Sequence, residues 1–138
     1  MTSYVHDRIS IDDLYCRCAR DMDNPASDAW IDCFTSDAVF LSPRFGRFSG
    51  REGLRELHEL RRRALIDTKI RHVISNVLIH MDGPETSGEC YLCAYETKFG
   101  KTKLVAVGGY RDTLVKLEQR WFFRTREEYF DALPPGRR

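Results

Sequence analysis

No stretch of this chain is apolar for long enough to cross a bilayer, and its first ten residues lack the apolar core of a secretory leader. The expectation is a cytoplasmic protein that does not engage a membrane. An excess of either charge is also missing. Lys and Arg number 22 against 21 Asp and Glu, interspersed, for a net charge of +1. No basic field is present to hold nucleic acid or an anionic surface. The short Arg61-Arg62-Arg63 run falls in an amphipathic helix and reads as a solvated face. No glycine-rich loop follows a strand and opens a helix, which argues against a nucleotide cofactor. Gly108-Gly109 instead lies inside a predicted strand and suggests a bulge. His6, His58, His72 and His80 are scattered, with no carboxylate cluster, so no metal-ligand set is expected. His6 and His58 read as exposed. Repeats, low-complexity tracts and an interdomain linker are absent too.

Cysteine is present but in an odd number, five, which excludes a complete intramolecular disulfide framework. Cys16 and Cys18 point to nearly opposite sides of a helix. Cys90 and Cys93 form a C-x-x-C, but on a strand an odd offset sends them to opposite faces. Reduced, packed thiols are expected, with Cys33 a small core residue.

What is there fits one domain of 138 residues, with an arm over 1–9 and a tail over 131–138 that includes Pro134-Pro135-Gly136. Ser10 reads as an N-cap. Behind it Ile11, Leu14, Tyr15, Cys18 and Met22 follow the spacing of an amphipathic helix that ends at Asn24-Pro25. Ser27 or Asp28 caps a short second helix carrying Trp30, Ile31, Cys33 and Phe34. Short strands follow at 38–41 and 44–48. Ser49-Gly50-Arg51-Glu52 matches a capping box, and the helix behind it buries Leu54, Leu57, Ala64 and Leu65. The period then changes to two, and four long strands are expected over 69–80, 87–99, 103–117 and 120–130. Helices first and then a meander of long antiparallel strands is an α+β order. A curved antiparallel sheet wrapped around a helix makes a cone, whose mouth offers a mostly apolar pocket.

The predicted strand Lys69-Ile70-Arg71-His72-Val73-Ile74-Ser75-Asn76-Val77-Leu78-Ile79-His80 carries the most information. It sets one imidazole, His72, among aliphatic side chains, as acid–base chemistry requires. The best partner is Asp23, at the edge of the first helix's apolar stripe and at its C-terminus, where the macrodipole disfavours an anion. Asp23 either finds a compensating partner there or points to water as a turn residue. His72 is either that partner or a satisfied core histidine. Asn76 shares the face of His72 about 13 Å further along an ideal strand, and either polarises a substrate carbonyl or bonds to backbone. Tyr15, Tyr91, Tyr95 and Tyr110 are phenol donors in principle, with Tyr15 best positioned. Arg124 and Arg126 share one face of the last strand and read first as solvated; pairing with Glu127 or Glu128 and binding an anionic group at the mouth are the alternatives.

Three stretches give the chain a family resemblance. Ile11-Asp12-Asp13-Leu14-Tyr15 runs to Asp23, then Trp30, then Phe34-Thr35-Ser36-Asp37-Ala38-Val39-Phe40. The second is Arg71-His72-Val73-Ile74-Ser75-Asn76-Val77. The third is Gly108-Gly109-Tyr110-Arg111-Asp112 with Trp121-Phe122-Phe123 and Arg126. Together they resemble the SnoaL-like group of the NTF2-like (cystatin-like) superfamily. That superfamily hosts dehydratases, dehydrochlorinases, isomerases, polyketide cyclases and non-catalytic subunits, so fold alone does not name a reaction. In members similar to scytalone dehydratase and the lindane dehydrochlorinase, an Asp after the first helix pairs with a His that opens a long strand. By motif position these are Asp23 and His72. The second pocket His of scytalone dehydratase has no counterpart around Tyr91-Leu92-Cys93, and its tyrosine before the Asp is Met22 here.

The resemblance implies a cofactor-independent lyase or isomerase, dehydratase-like or cyclase-like, acting on a small, largely apolar carbonyl compound. His72 and Asp23 are the expected catalytic pair, and Tyr15, Asn76, Trp30 and Tyr110 the expected substrate-binding residues. A non-catalytic small subunit of a ring-hydroxylating dioxygenase-type assembly and a small-molecule-binding module are the alternatives. A homodimer is expected in each case, because the outer face of such a sheet leaves apolar positions to cover.

Overall fold

The computed structural model describes residues 3–132. Its elements are helix α1 (Tyr4–Met22), a 3-10 turn (Ala29–Cys33), strands β1 (Phe34–Ser42) and β2 (Gly46–Ser49), helix α2 (Gly50–Ala64), and strands β3 (Lys69–His80), β4 (Thr86–Lys98), β5 (Lys101–Leu117) and β6 (Arg120–Phe130). All six strands form one sheet in the order β2-β1-β6-β5-β4-β3. The meander from β3 to β6 is antiparallel as the sequence implies, while β1 joins β6 in parallel. The expected arm is helical from Tyr4 onward, and the part of the expected tail beyond residue 132 lies outside the described residues.

The first two turns of α1 escape a periodicity reading because polar contacts hold them. Ser3, not Ser10, is the N-cap, and its hydroxyl accepts from the His6 amide. Asp7 accepts from Lys116 Nζ at 2.8 Å and from the Trp121 indole at 3.1 Å. Arg8 donates to the Val77 carbonyl at 3.1 Å. Tyr4, Val5 and Ile9 are exposed, so no apolar stripe announces this segment. From Ile11 the stripe appears, and Ile11, Leu14, Tyr15, Cys18, Ala19 and Met22 are buried against the sheet. At α2, Ser49 occupies the N-cap position but its side chain makes no capping hydrogen bond, so the expected capping box is not formed.

Bulges give the sheet its curvature. The register of β3 on β4 slips between Ser75 and Leu78, that of β4 on β5 at Ala94/Tyr95, and that of β5 on β6 at Thr113/Leu114. Each extra residue bends its strand and increases the local twist. Gly108 and Gly109 are not at a bulge. They are required because the backbones crowd there: a Cβ on Gly108 would sit 1.9 Å from the Tyr129 carbonyl, and one on Gly109 would sit 2.2 Å from the Cys90 carbonyl. The sheet thus wraps around α1 and encloses an aromatic core. Trp30 lies 5.0 Å from Phe34 and 5.9 Å from Phe40, centroid to centroid, and Tyr15 meets Phe123 edge-on at 5.0 Å.

The five cysteines are free. Cys18 and Cys33 are both buried, and the Cys18 sulfur accepts from Arg126 Nη1 at 3.5 Å.

Candidate functional site

Asp23 is the C-cap of α1. Its carboxylate, at the disfavoured end of the helix dipole, is met by two donors from one residue. The backbone N–H of His72 donates to Oδ2 at 3.0 Å, and the His72 ring Nδ1 lies 2.5 Å from Oδ1. The backbone bond fixes the carboxylate relative to β3, and the ring bond fixes the imidazole relative to the carboxylate. With Nδ1–H donating to Asp23, the neutral ring carries its lone pair on Nε2, and the carboxylate would stabilise the imidazolium formed on protonation. Among the described residues Nε2 has no protein hydrogen-bond partner. The two side chains keep 14% and 19% of their exposure, so the pair is sheltered without being sealed.

The His72 ring lines a cavity of about 120 Å³. Its polar groups are His72, Arg44, Arg61 and Glu128, and the rest of its wall is apolar, including Met22, Leu92 and Phe130. Leu92 occupies the region where a second histidine would stand in a scytalone dehydratase-like site, so no second imidazole faces this space. Glu128 Oε2 accepts from the Tyr110 hydroxyl at 3.4 Å. Arg44 sits at the mouth with its guanidinium 4.6 Å from the Phe130 ring centroid.

The other residues expected to bind substrate lie elsewhere. Tyr15 is buried, and its hydroxyl donates to Asp112 Oδ2 at 2.6 Å. Burial and the Asp112 carboxylate hold its phenol far above the usual tyrosine range. Trp30 is wholly buried in the aromatic core. Tyr110 is also buried and does not line the cavity itself; its hydroxyl reaches two of the lining residues, Glu128 and Met22. Asn76 does not share the face of His72. It adopts φ +54° within the β3 bulge and is exposed, so the alternation from which its direction was counted breaks at that residue. Tyr91 and Tyr95 are exposed, and neither lines the cavity.

Two arginines and a histidine depart from expectation in instructive ways. Arg126 is not solvated. It is buried with Asp112, which accepts from its Nε at 2.8 Å and its Nη2 at 3.0 Å. Its guanidinium lies 3.9 Å from both the Tyr110 and the Phe123 ring centroids. Arg124 is the extra residue of the β5–β6 register shift, which puts Arg124 and Arg126 on different faces; Arg124 is exposed beside Asp37. His58 is buried, stacked 5.5 Å from Trp30, with Nε2 2.8 Å from the Ser27 carbonyl oxygen. Arg61 lines the cavity, whereas Arg62 and Arg63 reach Glu59 on the solvated side. Helical spacing carried the signal for both, because His58 and Arg61 stand four and seven residues after the buried Leu54.

Among the described residues no group of three or more His, Cys, Asp or Glu could hold a metal ion, and no helix is long and apolar enough to cross a membrane.

The family profile described as SnoaL-like domain matches residues 3–127. No curated protein matches the chain significantly. An NTF2-like protein with a cystatin-like fold from Novosphingobium aromaticivorans superposes with a TM-score of 0.84 at 19% identity, covering 95% of this chain and 86% of that one. A candidate aromatic ring hydroxylase from the same organism shares 26% identity at a TM-score of 0.77, over 96% of this chain and 94% of its own. A candidate scytalone dehydratase, also from Novosphingobium aromaticivorans, shares 17% identity at a TM-score of 0.78, over 93% of this chain and 86% of its own.

Proposed function

The chain belongs to the SnoaL-like family, with an NTF2-like, cystatin-like fold, and on that premise we propose that it is a cofactor-independent lyase or isomerase that abstracts a proton next to a carbonyl in a small, largely apolar compound. The observation that carries this reading is the 2.5 Å contact between His72 Nδ1 and Asp23, with the same ring on the wall of a cavity. His72 Nε2 takes the proton. Asp23 holds the tautomer and stabilises the imidazolium. Base catalysis of this kind contributes about 10²–10⁴-fold. The imidazolium so formed carries that proton and returns it to a neighbouring carbon, or to a leaving hydroxyl when water is lost. With Leu92 in place of a second imidazole, ring closure or double-bond migration fits the site as well as loss of water does.

The direct test does not require the natural substrate. Deuterium uptake from solvent next to the carbonyl is followed by NMR for a panel of small cyclic and aromatic ketones. We expect exchange above the buffer rate with the wild type, and its loss in both His72→Ala and Asp23→Asn with the fold intact. A panel without enzyme-dependent exchange, or exchange that survives both substitutions, would sink the assignment.

One observation favours a second reading, a non-catalytic small subunit of a ring-hydroxylating dioxygenase-type assembly: the 26% identity with the candidate aromatic ring hydroxylase over nearly the whole chain. Exposed Val73, Tyr91, Tyr95 and Val107 on the outer face of the sheet support a protein contact there, and a second copy of this chain is the partner we propose. Sedimentation of the purified protein as a monomer would remove that proposal.

A further inference from the structure

The cavity contains a charge that the dyad does not use. Arg61 reaches it from α2, with its guanidinium carbon 4.9 Å from the Trp30 ring centroid and 5.2 Å from that of Phe40. The rings cover the guanidinium but offer no acceptor to its in-plane N–H groups. Its Nη1 is buried with no hydrogen-bond partner. Among the described residues Arg61 makes no ion pair, although its neighbours Arg62 and Arg63 both find Glu59. Glu128, on the same wall, takes the Tyr110 hydroxyl instead. Leaving a buried donor unpaired costs about 1–3 kcal/mol, and more when the donor is charged. Such a group in a native fold calls for an explanation, and here the unpaired nitrogen belongs to a side chain that lines a cavity.

We propose that the cavity receives a small ligand with a carboxylate, held by Arg61, on an apolar body the size of one ring. A guanidinium fork matches the planar pair of carboxylate oxygens and binds them with charge-assisted hydrogen bonds. The volume sets an upper limit of one ring: an apolar cavity of about 150 Å³ admits benzene, and this one measures about 120 Å³, so part of the ligand extends into its open mouth. Combined with the proposed function, the substrate class is a cyclic or aromatic keto acid, with its carboxylate on Arg61 and its acidic C–H toward His72. Only the choice of reacting bond rests on that reading, since the anion site does not require His72 to be a base.

The test is binding of benzoate and of its neutral counterpart benzamide, followed by NMR titration of isotope-labelled protein at about pH 8, where an ordinary imidazole is neutral. Benzoate should shift signals of cavity residues and bind at least tenfold more tightly than benzamide. Arg61→Gln should bring benzoate down to the benzamide level, and Arg62→Gln should change neither ligand. If Arg61→Gln does not fold, Arg61→Lys carries the test, and most of the preference should be lost with the fork. His72→Ala should keep the preference, which separates this site from the dyad: wild-type protein that prefers benzoate yet exchanges no ketone proton refutes the proposed function and leaves the anion site standing. Absence of benzoate binding, equal binding of the two ligands, a preference that survives at Arg61, or one that is lost equally in Arg62→Gln overturns the proposal.

Discussion

Two of the molecule's carboxylate–base pairs, Asp112 with Arg126 and Asp23 with His72, are built for opposite purposes. Asp112 and Arg126 are sealed. Their side chains retain 0% and 2% of their exposure, two hydrogen bonds join them, Tyr15 donates to the same carboxylate, and aromatic rings cover the guanidinium. Asp23 and His72 are only sheltered, and one ring nitrogen is left without a protein partner at a cavity wall. In the first pair each guanidinium nitrogen and each carboxylate oxygen has a partner within the protein, Arg126 Nη1 reaching Cys18 Sγ on α1, so the charges cross-brace β5, β6 and α1. In the second, what remains unengaged is the basic lone pair. The difference lies in satisfaction rather than in residue type, since both sites start from an aspartate facing a nitrogen base.

The comparison can be broken most strongly at the open pair. His72→Ala and Asp23→Asn should each slow ketone proton exchange by about 10²–10⁴-fold, while thermal unfolding moves little. A fall in melting temperature that accounts for the lost rate would make this pair structural as well. At the sealed pair the effect should invert. Arg126→Met leaves Asp112 buried without its partner and should cost about 3–5 kcal/mol in urea unfolding. The double change Arg126→Met with Asp112→Leu should recover part of that loss, because the stranded charge goes with it. A smaller loss is expected for Tyr15→Phe, which removes one hydrogen bond to a buried carboxylate and should cost about 1.5–3 kcal/mol without altering the exchange rate. The smallest is a pH effect. Burial, the first cause, pushes the Cys90 thiol up to about 11. The unfolded chain therefore loses this proton at lower pH than the folded one, and stability should fall as pH rises above about 8.5 toward 11, by on the order of 1–2 kcal/mol. Cys90→Ala should flatten that part of the alkaline limb. An unchanged limb would assign the loss to other buried acids such as Tyr15.

Much of the architecture is legible in the pattern of residues. The strand over 69–80 and that over 120–130 have the bounds expected from β-branched runs and turn signals. The pairing of Asp23 with His72 came from motif position, and the structure brings the two together. What pattern reading loses has a common cause: it counts. Counting by two fails at every bulge: it misplaces Asn76, and it sets Arg124 and Arg126 on one face although the register shift at Arg124 separates them. Counting apolar residues fails where polar contacts hold a segment, as at the start of α1. Treating three consecutive arginines as one feature also fails, because successive helical residues diverge and only Arg61 turns inward. The residue proposed here to select the ligand was thus hidden in the run that looked most like ordinary surface.

The bulge in β3 has a consequence for how the strand can be altered. Before it, Ile70, His72 and Ile74 face inward, and after it Val77 and Ile79 do. The inward set changes from even to odd numbers, as though one link had been added to a chain of fixed colours. Removing Asn76 would therefore restore a single frame without turning any inward side chain out. What would be lost is the bend alone. A folded deletion variant lacking Asn76 that still exchanges ketone protons would show that the strand's curvature is dispensable for placing His72. One that folds yet no longer does so would show that the cone's shape is set by a residue that contributes spacing rather than contact.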